Sequence, residues 1–148
     1  MSTAPNVASV REQAAQWCAA QPGAWLDYPF DEATPVYKLR ARPDAPAKMF
    51  ALISDHRLNL KADPEISLGL REAHAFIEPA WHMSKRHWNT VRLDLVAALD
   101  PDDAAPALAL IVQLIEDSWD LVVEGLPRAD RDRLRTQRVA EVAEFRSE

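Results

Sequence analysis

Seven residues carry the chemistry that most needs explaining: Lys38, Arg40, Lys61, Lys85, Arg86, Trp88 and Arg92. Side chains alternate between faces along a strand, so parity sorts these residues. If Val91 and Leu93 face a core, then Trp88, Thr90 and Arg92 face away. Asn59 and Lys61 oppose Leu58 and Leu60, and Lys38 and Arg40 oppose Tyr37 and Leu39. One sheet face then gathers Lys38, Arg40, Asn59, Lys61, Trp88, Thr90 and Arg92. Cations beside an aromatic ring grip single-stranded nucleic acid, through phosphate charge and base stacking. Lys85 and Arg86 are adjacent cations at an expected turn, where a projecting tip reaches a phosphate backbone. The same residues equally suit a solvated face on which Trp88 covers the aliphatic stems of Lys and Arg.

Other reactive side chains lack partners. His82 and His87 flank Lys85-Arg86 with opposite parity, and two cations lie between them, so no metal site is expected. Cys18 lies on an apolar helical stripe and reads as a small buried hydrophobe. Ser118 stands beside Asp117 and Asp120 with no histidine nearby in sequence, which suits a tight helix contact. Trp17, Trp25, Trp81 and Trp119 read as packing residues. The three glycines form no phosphate-binding loop. The expectation is a protein without catalytic residues, metal or cofactor.

Charge is unevenly spread over the 148 residues, whose net charge is −6. Residues 1–35 carry one basic and four acidic residues, residues 36–94 ten and seven, and residues 95–148 six and twelve. The middle is therefore basic and both ends are acidic. An acidic total opposes avid nonspecific DNA binding but permits a local basic face. The length suits one domain. The single cysteine excludes an intrachain disulfide. The polar start and the lack of a long apolar run lead us to expect a soluble, cytoplasmic, monomeric protein without a membrane span.

The elements that must position these groups follow from periodicity. Ser9-Val10-Arg11-Glu12 matches a capping box, and Val10, Ala14, Trp17 and Cys18 recur at helical spacing, predicting a helix over 10–20. Pro22-Gly23 ends it, and a loop is expected through Asp27-Tyr28-Pro29-Phe30. Strands are predicted at 36–40, 48–53 and 57–61. The second is apolar on both parities, as in a strand covered on both faces. Asp63-Pro64-Glu65 starts a helix, with Ile66, Leu70, Ala73 and Ile77 on one face. Strands over 80–84 and 87–94 are expected around a Lys85-Arg86 turn. Asp100-Pro101 opens a helical region, with Pro106 placed in the first turn of its main helix. Leu108, Ile111, Leu114, Ile115, Ser118 and Val122 form its apolar stripe, and Gly125 and Pro127 stop it. The order is α-β-β-β-α-β-β-α plus a charged C-terminal helix or tail over 128–148. Successive strands imply antiparallel hairpins, so the class is α+β with a sheet of about five strands. The core is expected to close near Pro127, leaving residues 1–127 as the domain and 128–148 dispensable.

Several segments resemble the MmcQ/YjbR family. They are Tyr28-Pro29-Phe30 followed by Val36-Tyr37-Lys38; Lys48-Met49-Phe50-Ala51-Leu52; Asn59-Leu60-Lys61-Ala62-Asp63-Pro64-Glu65; and His82-Met83-Ser84-Lys85-Arg86-His87-Trp88-Asn89-Thr90-Val91. Asp117-Ser118-Trp119-Asp120-Leu121-Val122 matches the family's last core helix. The resemblance covers roughly residues 10–127. Ala80, Ser84 and Trp119 stand where the family usually has glycine, asparagine and tyrosine. The resemblance implies a compact α+β domain similar to type III secretion chaperones and the frataxin-like shape. It also implies a double-wing arrangement associated with DNA binding, and no catalytic activity.

Two functional expectations follow. One is weak, sequence-tolerant DNA binding through the basic sheet face and the hairpin tip. The alternative is a protein-interaction module that uses the acidic last helix or a sheet edge.

Overall fold

The computed structural model describes residues 6–80 and 83–147, with residues 142–147 described by backbone alone. Its helices are α1 (Val7–Ala19), α2 (Pro64–Ala73), α3 (Leu93–Ala97), α4 (Pro101–Glu124) and α5 (Arg128–Ser147). Its strands are β1 (Ala24–Asp27), β2 (Val36–Leu39), β3 (Lys48–Ser54), β4 (Arg57–Lys61), β5 (Ile77–Pro79) and β6 (Trp88–Arg92). They form one sheet in the order β1-β2-β3-β4-β6-β5, every neighbouring pair antiparallel. The α+β class stands, with six strands rather than about five.

β1 is the strand missing from the sequence reading. It has four residues, lies at the sheet edge and is flanked by turn residues, so little periodicity marks it. Gly23 permits its entry. With φ +72, it occupies the left-handed region, and a Cβ there would lie 2.6 Å from both the Arg40 carbonyl oxygen and Leu134 Cδ2.

α1 starts earlier than expected because Asn6, not Ser9, is its cap. The Asn6 side chain accepts from the Ser9 N–H at 2.8 Å. Asp63 caps α2 as expected, accepting from the Glu65 N–H at 2.9 Å, with Pro64 at the first helical position. α2 ends at Ala73, however, and Ile77 belongs to β5. Its docking is partly polar, beside Leu70 packed against the core. Ile66 is 59% exposed, while buried Ser67 donates to Asn89 Oδ1 at 2.9 Å. Pro106 lies beyond the first turn of α4, because the helix already begins at Pro101 after Asp100. The expected strand over 80–84 is absent from its described residues, and Trp81 and His82 lie outside them. β5 and β6 are instead Ile77–Pro79 and Trp88–Arg92. After β6 the chain turns directly into α3, where the sequence reading extends the strand to Asp94.

α4 packs across β3 and β4, and α1 packs against α3 and α4. The core combines Ala51, Ile53, Leu58 and Val91 with Val10, Ile111, Ile115 and Trp119. Ser118 also faces this layer. Its hydroxyl donates to the Phe50 carbonyl at 2.6 Å and accepts from the Lys61 N–H at 2.9 Å.

The core does not close at Pro127. Leu134 of α5 is fully buried within it. Arg138 stacks on Trp119 with its guanidinium carbon 3.8 Å from the ring centroid, and it also pairs with Asp120 at 3.3 Å. Trp119 in turn donates its indole N–H to the Pro22 carbonyl at 2.8 Å. Removing Leu134 therefore opens a cavity in the main core.

Two expected outcomes follow. Leu134→Ala should lower unfolding free energy by ~2–5 kcal/mol in urea titrations. Ser118→Ala should cost roughly 1–3 kcal/mol for each buried backbone group left without a partner. A cost near zero for Ser118→Ala would mean that the strands re-pair without it.

Candidate functional site

A bulge in β3 determines what the sheet shows on the face opposite α4. β2 pairs Tyr37 with Ala51 and then Lys38 with Met49, so Phe50 is an extra residue in β3. Such a bulge shifts facing by one position. Phe50 joins the core, while Met49 and Leu52 border the opposite face. Across β4 and β6 the register pairs Arg57 with Arg92, Asn59 with Thr90 and Lys61 with Trp88. The parity argument holds for Arg57, Asn59, Trp88, Thr90 and Arg92, while Lys61, at the end of β4, borders the helix side instead.

That face is not a basic plane. Its centre is a concave cup of about 640 Å³. Phe30, Met49, Leu52, Met83 and Trp88 supply the apolar walls. Thr34, Ser54, Arg57, Asn59 and Ser84 supply the polar positions. The lining comes from strands and loops, with no helix contribution. Phe30 stands at the rim, 70% exposed. Asn59 lies at the floor and is only 6% exposed. Its Oδ1 accepts from Thr90 Oγ1 at 2.6 Å, and its Nδ2 meets Met83 Sδ at 3.4 Å.

Most of the seven sequence-selected residues are engaged elsewhere. Lys38 pairs with Asp27 at 2.8 Å, and its ammonium lies 5.5 Å from the Trp25 ring centroid. Arg40 covers the same ring at 4.7 Å and donates to the Pro43 carbonyl at 3.0 Å. Arg92 holds Asp94 through two bonds, at 2.8 and 2.6 Å, and approaches Glu78 at 3.6 Å. Lys61 borders a separate groove between α2 and α4. Trp88 alone lines the cup. Lys85 and Arg86 are exposed in a turn closed by the Ser84 carbonyl, which accepts from the N–H groups of His87 and Trp88 at 3.1 and 2.9 Å. Arg71 braces the turn by donating to the Lys85 carbonyl. So the structure gathers neither a continuous cationic strip nor all seven residues.

Eight of the ten cup residues escaped the sequence reading: Phe30, Thr34, Met49, Leu52, Ser54, Arg57, Met83 and Ser84. Arg57 was within reach, since it shares the parity of Asn59. The double-sided apolar character of 48–53 was also a signal, because a strand apolar outward must be covered or must border a cavity. The bulge that exposes Met49 leaves no such mark.

The reactive groups are subdued. Burial pushes the Cys18 thiol up to about 12, so the thiolate is disfavoured. Among the described residues no group of three or more His, Cys, Asp or Glu side chains is placed to hold a metal ion. No described helix is long and apolar enough to cross a membrane.

Ion pairing also fixes a pH dependence. The hydrogen bond from Lys38 holds the Asp27 carboxyl below its ordinary value, and that from Arg92 does the same to Asp94. The folded chain therefore binds these protons more weakly than the unfolded chain. The resulting stability is complete above the ordinary carboxylate range and is lost as pH falls through the lowered folded values. Carboxyl NMR titration should show both midpoints below the ordinary value. Lys38→Met should raise that of Asp27 while leaving that of Asp94 in place.

Comparison with known proteins agrees with this architecture. The sequence model described as YjbR matches residues 19–121, a span that includes every residue lining the cup. The uncharacterized protein YbdF of Escherichia coli O157:H7 is 34% identical over 131 residues, covering 86% of this chain and 95% of that one. The uncharacterized protein YjbR of Escherichia coli strain K12 is 30% identical over 120 residues, covering 78% and 89%. The crystal structure of Deinococcus radiodurans protein DR2400 is similar with a TM-score of 0.67 and 32% identity, covering 88% of each chain. The matched span and these relatives show that the chain belongs to the YjbR family.

Proposed function

We propose that this protein acts by binding rather than catalysis, and that its ligand places an apolar group in the sheet-face cup. The observation that carries this reading is the cup itself, about 640 Å³ with five apolar walls and a few polar positions. Ligand sites typically span ~300–1,000 Å³ and have this composition. The described lining contains no carboxylate, imidazole or thiol, the usual proton-transfer and nucleophilic groups. An exposed Phe30 at the rim gains from being covered. A protein partner satisfies the same requirement when the apolar group is one of its side chains.

The neutral fluorophore N-phenyl-1-naphthylamine tests the reading. Its addition should shift amide NMR signals of Met49, Leu52, Asn59 and Trp88 together, in a saturable manner. Met49→Arg, which sets a charge in the wall, should weaken that binding by an order of magnitude or more, since ~1.4 kcal/mol is tenfold. Saturable shifts centred elsewhere, or none, would remove the cup from the function.

DNA binding is a second reading, favoured by one feature. Lys85 and Arg86 are exposed beside the cup, and neither makes an ion pair among the described residues. Binding through them would be weak, ~10⁻⁴–10⁻⁶ M, and steeply salt-dependent. Joint charge reversal of Lys85 and Arg86 should abolish retention on single-stranded DNA without moving the melting temperature. Retention that survives the reversal would eliminate this turn as the contact.

A further inference from the structure

We infer that the cup selects a small ligand with an apolar body and a carboxylate head, held by Arg57 and Asn59. The inference rests on the cup being the binding site and adds the chemistry that the cup recognises.

Asn59 supplies the first argument. It is more than nine-tenths buried, and Thr90 occupies its carbonyl oxygen. That contact turns the amide NH₂ the other way, where its partner is the Met83 thioether at 3.4 Å. A thioether is a weak acceptor. Buried donors are normally satisfied by strong acceptors, and one left short costs free energy that a ligand oxygen would restore.

Arg57 supplies the second. It stands two residues before Asn59 on the same strand face, ~7 Å away along the strand, and lines the same cup. Its side chain is 43% exposed, and its acidic neighbour Glu78 lies at 4.0 Å. Glu78 is shared with Arg92 at 3.6 Å, and Arg92 is already held by Asp94. Arg57 therefore keeps a guanidinium fork with unused donors beside a cavity whose described lining contains no acid.

Charge and geometry together define the head group. One guanidinium fork offers two parallel N–H donors and one positive charge, which match a planar monoanion. The neighbouring amide offers a further donor to the same oxygens. A dianionic phosphate would ask for more positive charge than this lining supplies. The apolar walls take the remainder of the ligand.

The test compares 2-naphthoate with its neutral isostere 2-naphthamide, titrated into the full chain at pH 7 and followed by amide NMR. The naphthoate should bind about tenfold more tightly, with shifts at Arg57 and Asn59, as expected for a charge-assisted hydrogen bond. Arg57→Gln should bring naphthoate binding down to the level of naphthamide, and Arg57→Lys should restore part of the preference. Asn59→Asp, which keeps the shape and adds a negative charge, should invert the preference. Equal binding of both naphthalenes would overturn the carboxylate inference and leave the cup as a binding site. A preference that persists in Arg57→Gln would overturn it too. Failure of both compounds to shift cup signals would overturn the reading of the cup itself, and this inference with it.

Discussion

Ser118 sits where the β3–β4 ladder breaks. Ala51 pairs with Leu60, but the next two residues along, Phe50 and Lys61, do not pair. The Ser118 hydroxyl stands between them, donating to the Phe50 carbonyl and accepting from the Lys61 N–H. One side chain from α4 thus completes two backbone groups that the bulge would leave bare in a dry layer. Much hangs on this bridge. It fixes the axial position of α4 on the sheet. It also stabilises the extra residue in β3, which sends Phe50 into the core and Met49 to the cup. A helix contact on one face therefore shapes the cavity on the other. Packed layers transmit small displacements in this way because they have little free volume.

Fold and site were unequally legible in the sequence, for physical reasons. β2, β3, β4 and the Asp63-Pro64-Glu65 helix start were plain, because alternation, two-sided apolarity and capping are local signals. The face shared by Asn59, Trp88, Thr90 and Arg92 followed from parity alone, whereas Lys61 borders the helix side. β1 was not legible, since an edge strand of four residues has almost no period. Ile77 was assigned to the helical stripe because its spacing fits one, although the chain had already left α2 for β5. The cup was hidden more deeply. It depends on a bulge, on Phe30 from the β1–β2 loop and on Met83 from the β5–β6 connection, contacts that no local pattern encodes.

Charge shows the same limit. The excess of positive residues over 36–94 was real as a count, yet the fold spends most of it internally. Asp27 reaches Lys38 only because the unforeseen β1 lies beside β2. Asp94 reaches Arg92 because the chain turns from β6 straight into α3. Trp25 lies under both Lys38 and Arg40, giving their charges an aromatic face rather than solvent. Parity identifies the face on which a cation lies. It says nothing about the acid on the neighbouring strand or the following helix, so Lys38 and Arg92 meet Asp27 and Asp94 instead of forming a basic plane.

The two buried asparagines of adjacent strands show how the sheet divides its labour. Asn89 points toward the helices, and its Oδ1 accepts from Ser67 Oγ at 2.9 Å and Arg71 Nε at 2.6 Å, while its Nδ2 approaches the Ser67 carbonyl at 3.5 Å. Both ends of that amide are committed to oxygen or nitrogen partners, and the commitment docks a helix whose apolar stripe is largely exposed. Asn59 points the opposite way. Only its carbonyl end has a strong partner, Thr90 on the neighbouring strand. The two side chains have the same chemistry, similar burial and positions one residue apart in the β4–β6 register. They differ in what faces them. On the helix side a satisfied amide builds structure. On the cup side the Thr90 hydroxyl fixes the amide's orientation and leaves the NH₂ end facing a soft sulfur atom and a cavity, so its remaining hydrogen-bonding capacity is open to whatever enters.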